Sequence, residues 1–491
     1  MISKDPFAGL EPAVLWTHFA NIVNIPRPSG QESAIAEWLV NWADTHGFSF
    51  RHDTAGNICI YVPASQDMSG SVTVALQAHL DMVCVRAENS TSDPSIGNIE
   101  ICREGEWIVA PNSTLGADNG IGIAAAMCVA ESKDTSHGPL ELLFTVEEET
   151  TGKGADELDP SLVHAEVMLN LDTETSGELP IGSAGGASTV ISWPNPTEPI
   201  PEDWLVVDLT VSGLTGGHSG IDIVKNRLNG IKGIVWLIRR IAEDIPIRLC
   251  WLAGGDAPNA IPIHAHATIA FPPTDSHLLE ETIPAAAAHL TRRFSLTDPD
   301  LTISRVNIDP KGIKCWSEEH QDRLLDLLAT IPSGVIAMEQ HTNYLVETSN
   351  NLGIAAMKDD VLEIRCLSRS SVAAAQEEIV ASIESAARLA GADFTLVSPV
   401  FPPWRVSSDS ALLAIVQASY RDLFQQDPKL VTTHGGLECG DIQQRISGLD
   451  AVSLGPEIQN AHKPGERVNI ASVGEFYELL CEVIRRLALK T

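Results

Sequence analysis

The sequence predicts an α/β protein, with a mostly parallel or mixed sheet sandwiched by helices and interrupted by an inserted α+β domain. Short apolar, β-rich runs alternate with segments of helical periodicity near both ends of the chain, as in strands joined by helical crossovers. The middle of the chain changes to longer strands of alternating polarity. The length of 491 residues is too great for one compact core, so more than one domain is expected.

Residues 1–186 are predicted to form the first part of the sheet domain. Leu15, Phe19 and Ile22 recur at helical spacing, and a breaker over 26–30 separates two opening helices. The predicted elements are helices over 11–24, 31–45 and 121–131, a hairpin over 48–62 that turns at 53–57, strands over 71–78, 140–146 and 167–171, and a polar excursion over 93–107.

Residues 187–397 are predicted to form an inserted α+β lid, and residues 398–491 to complete the sheet domain. Two β-rich runs in the insert end in polar segments, at Gly216–Gly220 and Cys366–Ser370, so a duplicated unit is an open alternative. The predicted elements are strands over 204–211, 263–271, 301–308, 361–366 and 452–454, and helices over 230–243, 278–294, 318–328, 371–389, 411–424 and 471–489. An interrupted domain with a lid implies a cleft.

The composition narrows the classes of partner. A formal charge of −33 argues against nucleic acid and anionic membranes, because both need clustered Lys and Arg. No uncharged apolar stretch reaches the ~18 residues of a membrane span, and the amino terminus lacks the apolar core of a signal peptide. The nine cysteines form no Cys-x-x-Cys pair and are expected to be reduced thiols. We therefore expect a cytoplasmic protein.

His79 and Asp81 directly follow the apolar run 72–76, at the end of a strand where ligand sites of open α/β sheets gather. One His-x-Asp pair is weak and is more often incidental. Four further positions at comparable junctions favour a site: Asp118, the pair Glu148 and Glu149, Asp172, and His462. Two imidazoles and three carboxylates (His79, His462, Asp118, Glu149 and Asp172) are the right number to hold two divalent metals if one carboxylate bridges them.

Each of these residues has a specific expected role. Asp118 is predicted to bridge, because its glycine-flanked turn lets the backbone bend closely round the metals. Asp81 is expected to fix the tautomer of His79. Glu148 is expected to take a proton from water and return it to the leaving amine. The alternative is that 147–149 is a solvated acidic loop, and a shift of register to Glu147 and Glu148 also stays open.

Six segments of the chain resemble the bacterial aminoacyl-histidine dipeptidases, a branch of the co-catalytic zinc exopeptidases. They occur in the family's order over nearly the whole chain: 77–83, 114–122, 216–220, 259–262, 435–440, and 453–468 with His462. The resemblance implies a zinc-exopeptidase-like catalytic domain and hydrolysis of Xaa-His and carnosine-like dipeptides. It implies that His79 and Asp172 hold one metal and Glu149 and His462 the other. It also implies a cis peptide bond between Asp118 and Asn119. Thr151 departs from the glycine usual in the family.

Five residues beyond the metal ligands are candidates for substrate contacts, and the resemblance decides the roles of two of them, His218 and Arg369. His218 is expected to donate to the oxyanion, although a histidine in a glycine-rich turn is more often a surface residue. Arg369 is expected to bind the substrate carboxylate, with a salt bridge inside the lid as the alternative. Asn259 is expected either to contact substrate or to hold its own turn. His434 and Glu438 are expected to line the pocket, Glu438 near the substrate amine.

Zinc is the expected metal, although cobalt and manganese suit the same ligands. The enzymatic alternatives are a tripeptidase or an N-acyl amino acid deacylase of the same superfamily. An alternative of another class is a silent relative that uses the metals as scaffold. The sequence leaves a monomer and a homodimer open.

Overall fold

The computed structural model describes residues 5–194, 197–339, 345–358, 361–407, 409–434 and 436–489. The chain divides into two compact units. Unit 1 comprises Met1–Ser183, Trp404–Thr432 and Leu437–Thr491, and unit 2 comprises Ala184–Pro403 and Thr433–Gly436. The divisions therefore fall near, but not at, the expected boundaries after residues 186 and 397. Gly435, in one of the segments that carry the resemblance, lies outside the described residues.

The first segment of unit 1 contains four α-helices and eight strands among its described residues. Helical periodicity predicted the first two helices, and both begin two residues later than expected because proline or turn residues precede them. The elements are α1 Ala13–Ile22, α2 Ser33–His46, β1 Ser49–His52, β2 Ile58–Val62, β3 Val74–His79, β4 Cys102–Glu104, β5 Trp107–Val109, α3 Ala117–Glu131, β6 Leu140–Thr145, α4 Lys153–Asp156, β7 Val167–Asn170 and β8 Glu178–Ser183.

Unit 2 follows with thirteen strands and four α-helices in its described part. These elements are β9 Gly185–Pro194, β10 Thr197–Pro199, β11 Leu205–Ser212, β12 Gly217–His218, α5 Gly230–Ala242, β13 Arg248–Gly254, β14 Ala260–Ile261, β15 Ala265–Phe271, α6 Ser276–Arg293, β16 Thr302–Ile308, β17 Lys314–Trp316, α7 Glu318–Thr330, β18 Gly334–Met338, β19 Val346–Lys358, β20 Val361–Ser370, α8 Ala373–Ala390 and β21 Asp393–Phe401.

The chain then returns to unit 1. The remaining elements are β22 Trp404–Arg405, α9 Ala411–Phe424, β23 Lys429–Thr433, α10 Cys439–Arg445, β24 Asp450–Ser453, β25 Ile458–Gln459, β26 Arg467–Asn469 and α11 Ile470–Leu489. The main sheet of unit 1 has the order β1-β2-β6-β3-β7-β24. Strands β6, β3, β7 and β24 are mutually parallel, whereas β1 and β2 pair antiparallel. The predicted α/β class with a mixed sheet is confirmed.

The central strands of this sheet are buried along their whole length. All six residues of β3 and all six of β6 are buried, as expected for parallel strands covered on both sides. Helix α3 contacts β3 and β6, and it is buried from Ala117 to Ala130. Because β6, β3, β7 and β24 are parallel, their carboxyl ends lie at the same edge of the sheet.

Unit 2 contains the same topology twice. Strands and helices β11-α5-β13-β15-α6-β16 form one βαββαβ copy, and β9-α7-β19-β20-α8-β21 form the other. The larger sheet has the path β16-β11-β15-β13-β19-β20-β9-β21, so the strand roles read the same from both ends. The copies meet where β13 pairs antiparallel with β19, at Gly254 and Ala355.

The structure thus contains the duplicated α+β unit that the sequence left open as an alternative. The two polar segments that suggested it are not equivalent, however. Gly216–Gly220 follows β11, the first strand of its copy, whereas Cys366–Ser370 ends β20, the third strand of the other copy.

Candidate metal centre and active site

The predicted ligands follow the carboxyl ends of the four parallel strands. His79 is the last residue of β3, and Asp172 lies two residues beyond β7. Glu148 and Glu149 follow β6, and His462 lies in the segment after β24. Asp118 stands at the start of α3, where its backbone is not helical. Side chains that are far apart in the sequence therefore converge at one edge of unit 1, as the strand-end argument predicted.

Asp118 lies between the two imidazoles. Its Oδ1 is 2.9 Å from His79 Nε2, and its Oδ2 is 3.2 Å from His462 Nε2. On one side, His79 Nε2 is also 3.3 Å from Asp172 Oδ1. On the other side, His462 Nε2 is 2.9 Å from Glu149 Oε2. One carboxylate thus connects two imidazole–carboxylate pairs.

Among the described residues, three sets of side chains each bring ligand atoms within 4.8 Å of one another. The sets are His79, Asp118 and Asp172; Asp118, Glu149 and His462; and His79, Glu148 and Glu149. The first two sets share Asp118. Glu149 Oε1 is buried and has no hydrogen-bond partner among the residues that the structure describes. Imidazole and carboxylate donors with an unsatisfied buried oxygen fit divalent cations of the zinc type.

The electrostatics of the site reflect a surplus of acid. Burial and the neighbouring Asp118 raise the pKa of Glu149 to about 7. Burial likewise raises the pKa of Asp172 to about 6 and the pKa of Glu148 well above its usual range. The hydrogen bonds to Asp118 and Glu149 raise the pKa of His462 to about 11. Crowded carboxylates that resist ionisation are the environment that a bound cation would relieve.

Asp81 organises the neighbouring loop. Its Oδ1 lies 3.4 Å from His79 Nδ1 and accepts the Glu148 N–H at 3.0 Å. Its Oδ2 accepts the Glu149 N–H at 3.1 Å and the Ser29 hydroxyl at 2.7 Å. The hydrogen bond of His79 Nδ1 is to the main-chain carbonyl of Asp81 at 3.2 Å, so the carboxylate lies beside the imidazole and holds the main chain of the double glutamate.

Glu147 is directed away from the ligands. Its Oε1 is 3.5 Å from Lys153 Nζ, and its Oε2 accepts the Thr151 hydroxyl at 3.1 Å. Its backbone has a positive φ of 55°, which turns the chain directly after β6. The peptide bond between Asp118 and Asn119 is cis, so that expectation is confirmed.

Two buried charged residues that the sequence did not indicate hold the turn before Asp118. Glu466 is 2 % exposed, and its carboxylate accepts the N–H groups of Leu115, Gly116 and Ala117 at 2.6, 3.0 and 2.8 Å. Arg27 is fully buried and donates to the carbonyls of Leu80, Asp81 and Gly116. Glu466 and Arg27 thereby fix the main chain beside His79 and Asp118.

Gly116 is required at this point of the turn. Its φ is +73°, and a Cβ there would lie 2.5 Å from Arg27 Nη2 and 2.8 Å from Met82 Sδ. The backbone can therefore pass under the guanidinium only because the side chain is missing.

Two further acids face the ligands from within unit 1. Burial and the nearby Asp118 raise the pKa of Glu174 to about 9; the sequence signal would have been its position two residues after Asp172. Glu438 is buried, and its Oε2 accepts Gln77 Nε2 at 2.6 Å and the Thr145 hydroxyl at 2.7 Å. Glu438 thus contacts side chains at the ends of β3 and β6.

The other predicted residues lie in unit 2. His218 Nδ1 accepts the N–H groups of Gly220 and Ile221 at 3.2 and 3.3 Å, which leaves Nε2 as the protonated nitrogen of a neutral ring. Asn259 is exposed, and its carbonyl accepts the Ser219 N–H at 2.8 Å. Its main chain therefore supports the His218 segment.

Arg369 and His434 are neighbours within unit 2. Arg369 Nη1 donates to the His434 carbonyl at 3.4 Å, and burial lowers the pKa of Arg369 to about 10. His434 Nε2 lies 2.8 Å from the Ser349 hydroxyl, and burial with the nearby Arg369 lowers the pKa of His434 to about 4. Among the described residues, no Asp or Glu pairs with Arg369. The salt bridge that was the alternative role for Arg369 is therefore not formed with any described residue.

A mixed sheet flanked by helices, with acids and imidazoles gathered at the carboxyl ends of its parallel strands, is typical of metal-dependent hydrolases. The family model for peptidase family M20/M25/M40 matches residues 75–486. The chain belongs to this family, and the prediction of a peptide-bond hydrolase is confirmed.

The chain is similar to the cytosol non-specific dipeptidase of Escherichia coli (strain K12), with 36% identity over 483 residues, which is 98% of this chain and 99% of the relative. It is also similar to the crystal structure of aminoacylhistidine dipeptidase from Vibrio alginolyticus, with 33% identity, 98% of each chain covered and a TM-score of 0.86. A tripeptidase from Staphylococcus aureus has the same fold at 17% identity, with a TM-score of 0.56 over 98% of this chain and 100% of the other.

Proposed function

We propose that the protein hydrolyses dipeptides with the aid of two divalent cations and prefers Xaa-His substrates. The observation that carries this proposal is the position of Asp118, one oxygen of which contacts His79 while the other contacts His462. A carboxylate shared between two imidazoles is the arrangement that a bridged pair of metals needs.

His79 and Asp172 would hold one cation and Glu149 and His462 the other, with Asp118 between them. Zinc is our choice of metal, and cobalt or manganese would suit the same donors. When bound, such a pair polarises the scissile carbonyl and lowers the pKa of water.

Glu148 is proposed as the general base, which accepts a proton from the attacking water and returns it to the leaving amine. Two contacts support this choice over Glu147. Glu148 lies in a set with His79 and Glu149, whereas Glu147 pairs with Lys153 and Thr151. The Asp81 carboxylate holds the main-chain N–H of Glu148, which limits where the base can move.

The residues of unit 2 are proposed to recognise the substrate, with this unit acting as a lid. The protonated Nε2 of His218 suits donation to the oxyanion, because both hydrogen bonds to its Nδ1 fix the tautomer. Arg369, which lacks a carboxylate partner among the described residues, suits the terminal carboxylate of a peptide. His434 and Asn259 would support these two groups, and Glu438 would support the strand ends below the ligands.

The range of substrates has two candidates. The similarity to the Vibrio alginolyticus structure favours a preference for aminoacyl-histidine dipeptides, whereas the Escherichia coli relative, named a non-specific dipeptidase, favours a broad one. That relative is also named for the cytosol, which supports our proposal of a cytoplasmic enzyme. None of the helices within the described ranges is both long and apolar enough for a bilayer span.

A substrate panel tests the proposal. We expect kcat/KM to be higher for carnosine and other Xaa-His dipeptides than for dipeptides without histidine, and tripeptides and N-acyl amino acids to be poor substrates. Equal values across all dipeptides would replace the Xaa-His preference with a broad dipeptidase. Higher values for tripeptides or acylated amino acids would refute the dipeptidase. Activity that is unchanged after chelation and dialysis would refute the metal requirement.

Metal analysis of Asp118→Asn tests the shared carboxylate. We expect this variant to lose both metals and all activity, whereas Asp134→Asn, at an exposed position, keeps two metals per chain. Retention of both metals in Asp118→Asn would remove Asp118 from the bridging position.

A further inference from the structure

Unit 2 contains a cavity that none of the proposed active-site residues lines. Its volume is about 410 Å³, within the range of pockets that hold small organic ligands. It is bounded by α5 and the segment that precedes it, by the carboxyl-terminal parts of α6 and α7, and by the start of β18, with Ile261 of β14 and Asn351 of β19. His218, Asn259, Arg369 and His434 are not among its lining residues.

The lining of the cavity has the opposite charge from the whole chain. Four basic side chains line it, namely Arg227, Lys232, Arg239 and Arg293, and no Asp or Glu does so among the described residues. The chain as a whole carries 65 acidic and 32 basic residues. A local excess of cations in so acidic a protein attracts anions to this cavity.

Two of these cations lack a carboxylate partner in the described part of the chain. Arg293 contacts the ring of Phe294 at 5.1 Å, and no described residue forms an ion pair with it. Lys232 Nζ donates to the main-chain carbonyls of Leu328 and Ala329 at 2.7 and 2.9 Å and to the carbonyl of Ile331. The positive charge of both side chains is therefore not neutralised by acid.

The other two cations are only partly compensated. Arg239 pairs with Asp326 at 2.5 Å, where both side chains are exposed to solvent. Arg227 lies 3.4 Å from Asp222, and its Nη1 also donates to the Gly216 carbonyl. Neither Asp326 nor Asp222 lines the cavity. Its net charge consequently stays positive.

The cavity also has an apolar wall. Trp236, Leu290 and Phe294 line it beside the cations. The Trp236 ring is stacked on His289, with the ring centroids 5.1 Å apart and the planes at 16°, so its orientation is fixed. Cations beside ordered aromatic surface suit a ligand with one anionic end and one apolar end.

We propose that this cavity binds a small organic anion, with a phosphate or carboxylate group held by Arg293 and the neighbouring Arg227 and Arg239, and an aromatic or aliphatic portion against Trp236 and Phe294. This site does not depend on the metal centre.

Isothermal titration of the purified enzyme with phenyl phosphate tests the proposal. Inorganic phosphate and benzyl alcohol serve as the anionic and apolar fragments. We expect phenyl phosphate to bind at one cavity site per chain, more tightly than either fragment. Arg293→Gln should weaken binding by about tenfold, the loss expected for one charge-assisted hydrogen bond. Arg239→Gln is a second cavity variant with the same expected direction.

The matched control is Arg240→Gln. Arg240 lies on the same helix as Arg239, pairs with Glu243 and Asp244, and does not line the cavity. Its affinity for phenyl phosphate should equal that of the wild type. Titration of Asp118→Asn identifies any phenyl phosphate bound at the metal centre, because only that binding is lost there.

Four results would overturn the proposal. The first is that Asp118→Asn binds no phenyl phosphate, and the second is that both Arg293→Gln and Arg239→Gln bind it with wild-type affinity. The third is that Arg240→Gln weakens binding as much as the cavity variants do. The fourth is that inorganic phosphate or benzyl alcohol binds as tightly as phenyl phosphate.

Discussion

Replacement of Glu466 by glutamine should loosen the turn that carries Asp118. The carboxylate accepts three main-chain N–H groups, two at Oε2 and one at Oε1. Glutamine has a single acceptor oxygen, so it keeps two of these bonds and turns an N–H₂ group toward the third donor. One charge-assisted bond is lost and one buried N–H is left unpaired, which together cost about 2 to 4 kcal/mol.

Hydrogen exchange of the chelated protein measures this effect directly, because exchange reports local opening of the main chain. A local loss of about 2 to 4 kcal/mol predicts amide exchange about 30 to 1,000 times faster over residues 115–117. The control Glu475→Gln, at an exposed position, should exchange at the wild-type rate. Unchanged exchange at 115–117 in Glu466→Gln would refute the argument that this carboxylate holds the turn.

Three further outcomes are expected. Glu148→Ala should keep its metals by elemental analysis but lose kcat by a factor of about 10² or more, and substantial remaining turnover would transfer the base role elsewhere. Arg369→Met should raise KM for dipeptides by about tenfold or more while leaving their carboxyl amides unaffected; an equal change for both would remove the carboxylate contact. Burial lowers the pKa of Lys232 from 10.5 to about 8, so its protonation disfavours the folded state. The free energy of unfolding of the wild type should therefore rise relative to Lys232→Met between pH 8 and pH 10.5, by at most about 3 kcal/mol, and parallel urea-denaturation curves would contradict this.

The ligands at the strand ends of unit 1 were predictable because His79, Glu149 and Asp172 lie at or just beyond the end of a short apolar run, and Asp118 lies in a glycine-flanked turn. His79 at the end of β3 and Asp172 beyond β7 are examples, and burial of parallel strands on both sides makes such runs continuous. The expected division of the ligands between two metals, with His79 and Asp172 on one and Glu149 and His462 on the other, needed the family resemblance as well. Spacing alone does not say which strands are neighbours.

Arg27 and Glu466 could not be predicted in the same way. Arginine and glutamate are mostly exposed, so the sequence marks Arg27, between two prolines, only as part of a breaker, and it gives no signal for Glu466. Their partners are main-chain groups of residues 53 to 351 positions away, which no local pattern reveals.

Strand β19 is not predicted from the sequence, for a related reason. It contains the run Thr348, Ser349, Asn350 and Asn351, all buried. Asn350 donates to the Pro332 carbonyl at 2.7 Å and accepts the Ser368 hydroxyl at 2.9 Å, so hydrogen bonding replaces apolar packing. Alternating hydrophobicity therefore does not mark this strand.

The two βαββαβ copies of unit 2 belong to one polypeptide, and this has an evolutionary consequence. In an assembly of two identical subunits, every substitution appears twice and must suit both environments. Here each half can change alone. The cavity shows the result: its four basic side chains all come from the copy that contains α5 and α6, whereas the other copy contributes uncharged lining residues such as Ala329 and Asn351.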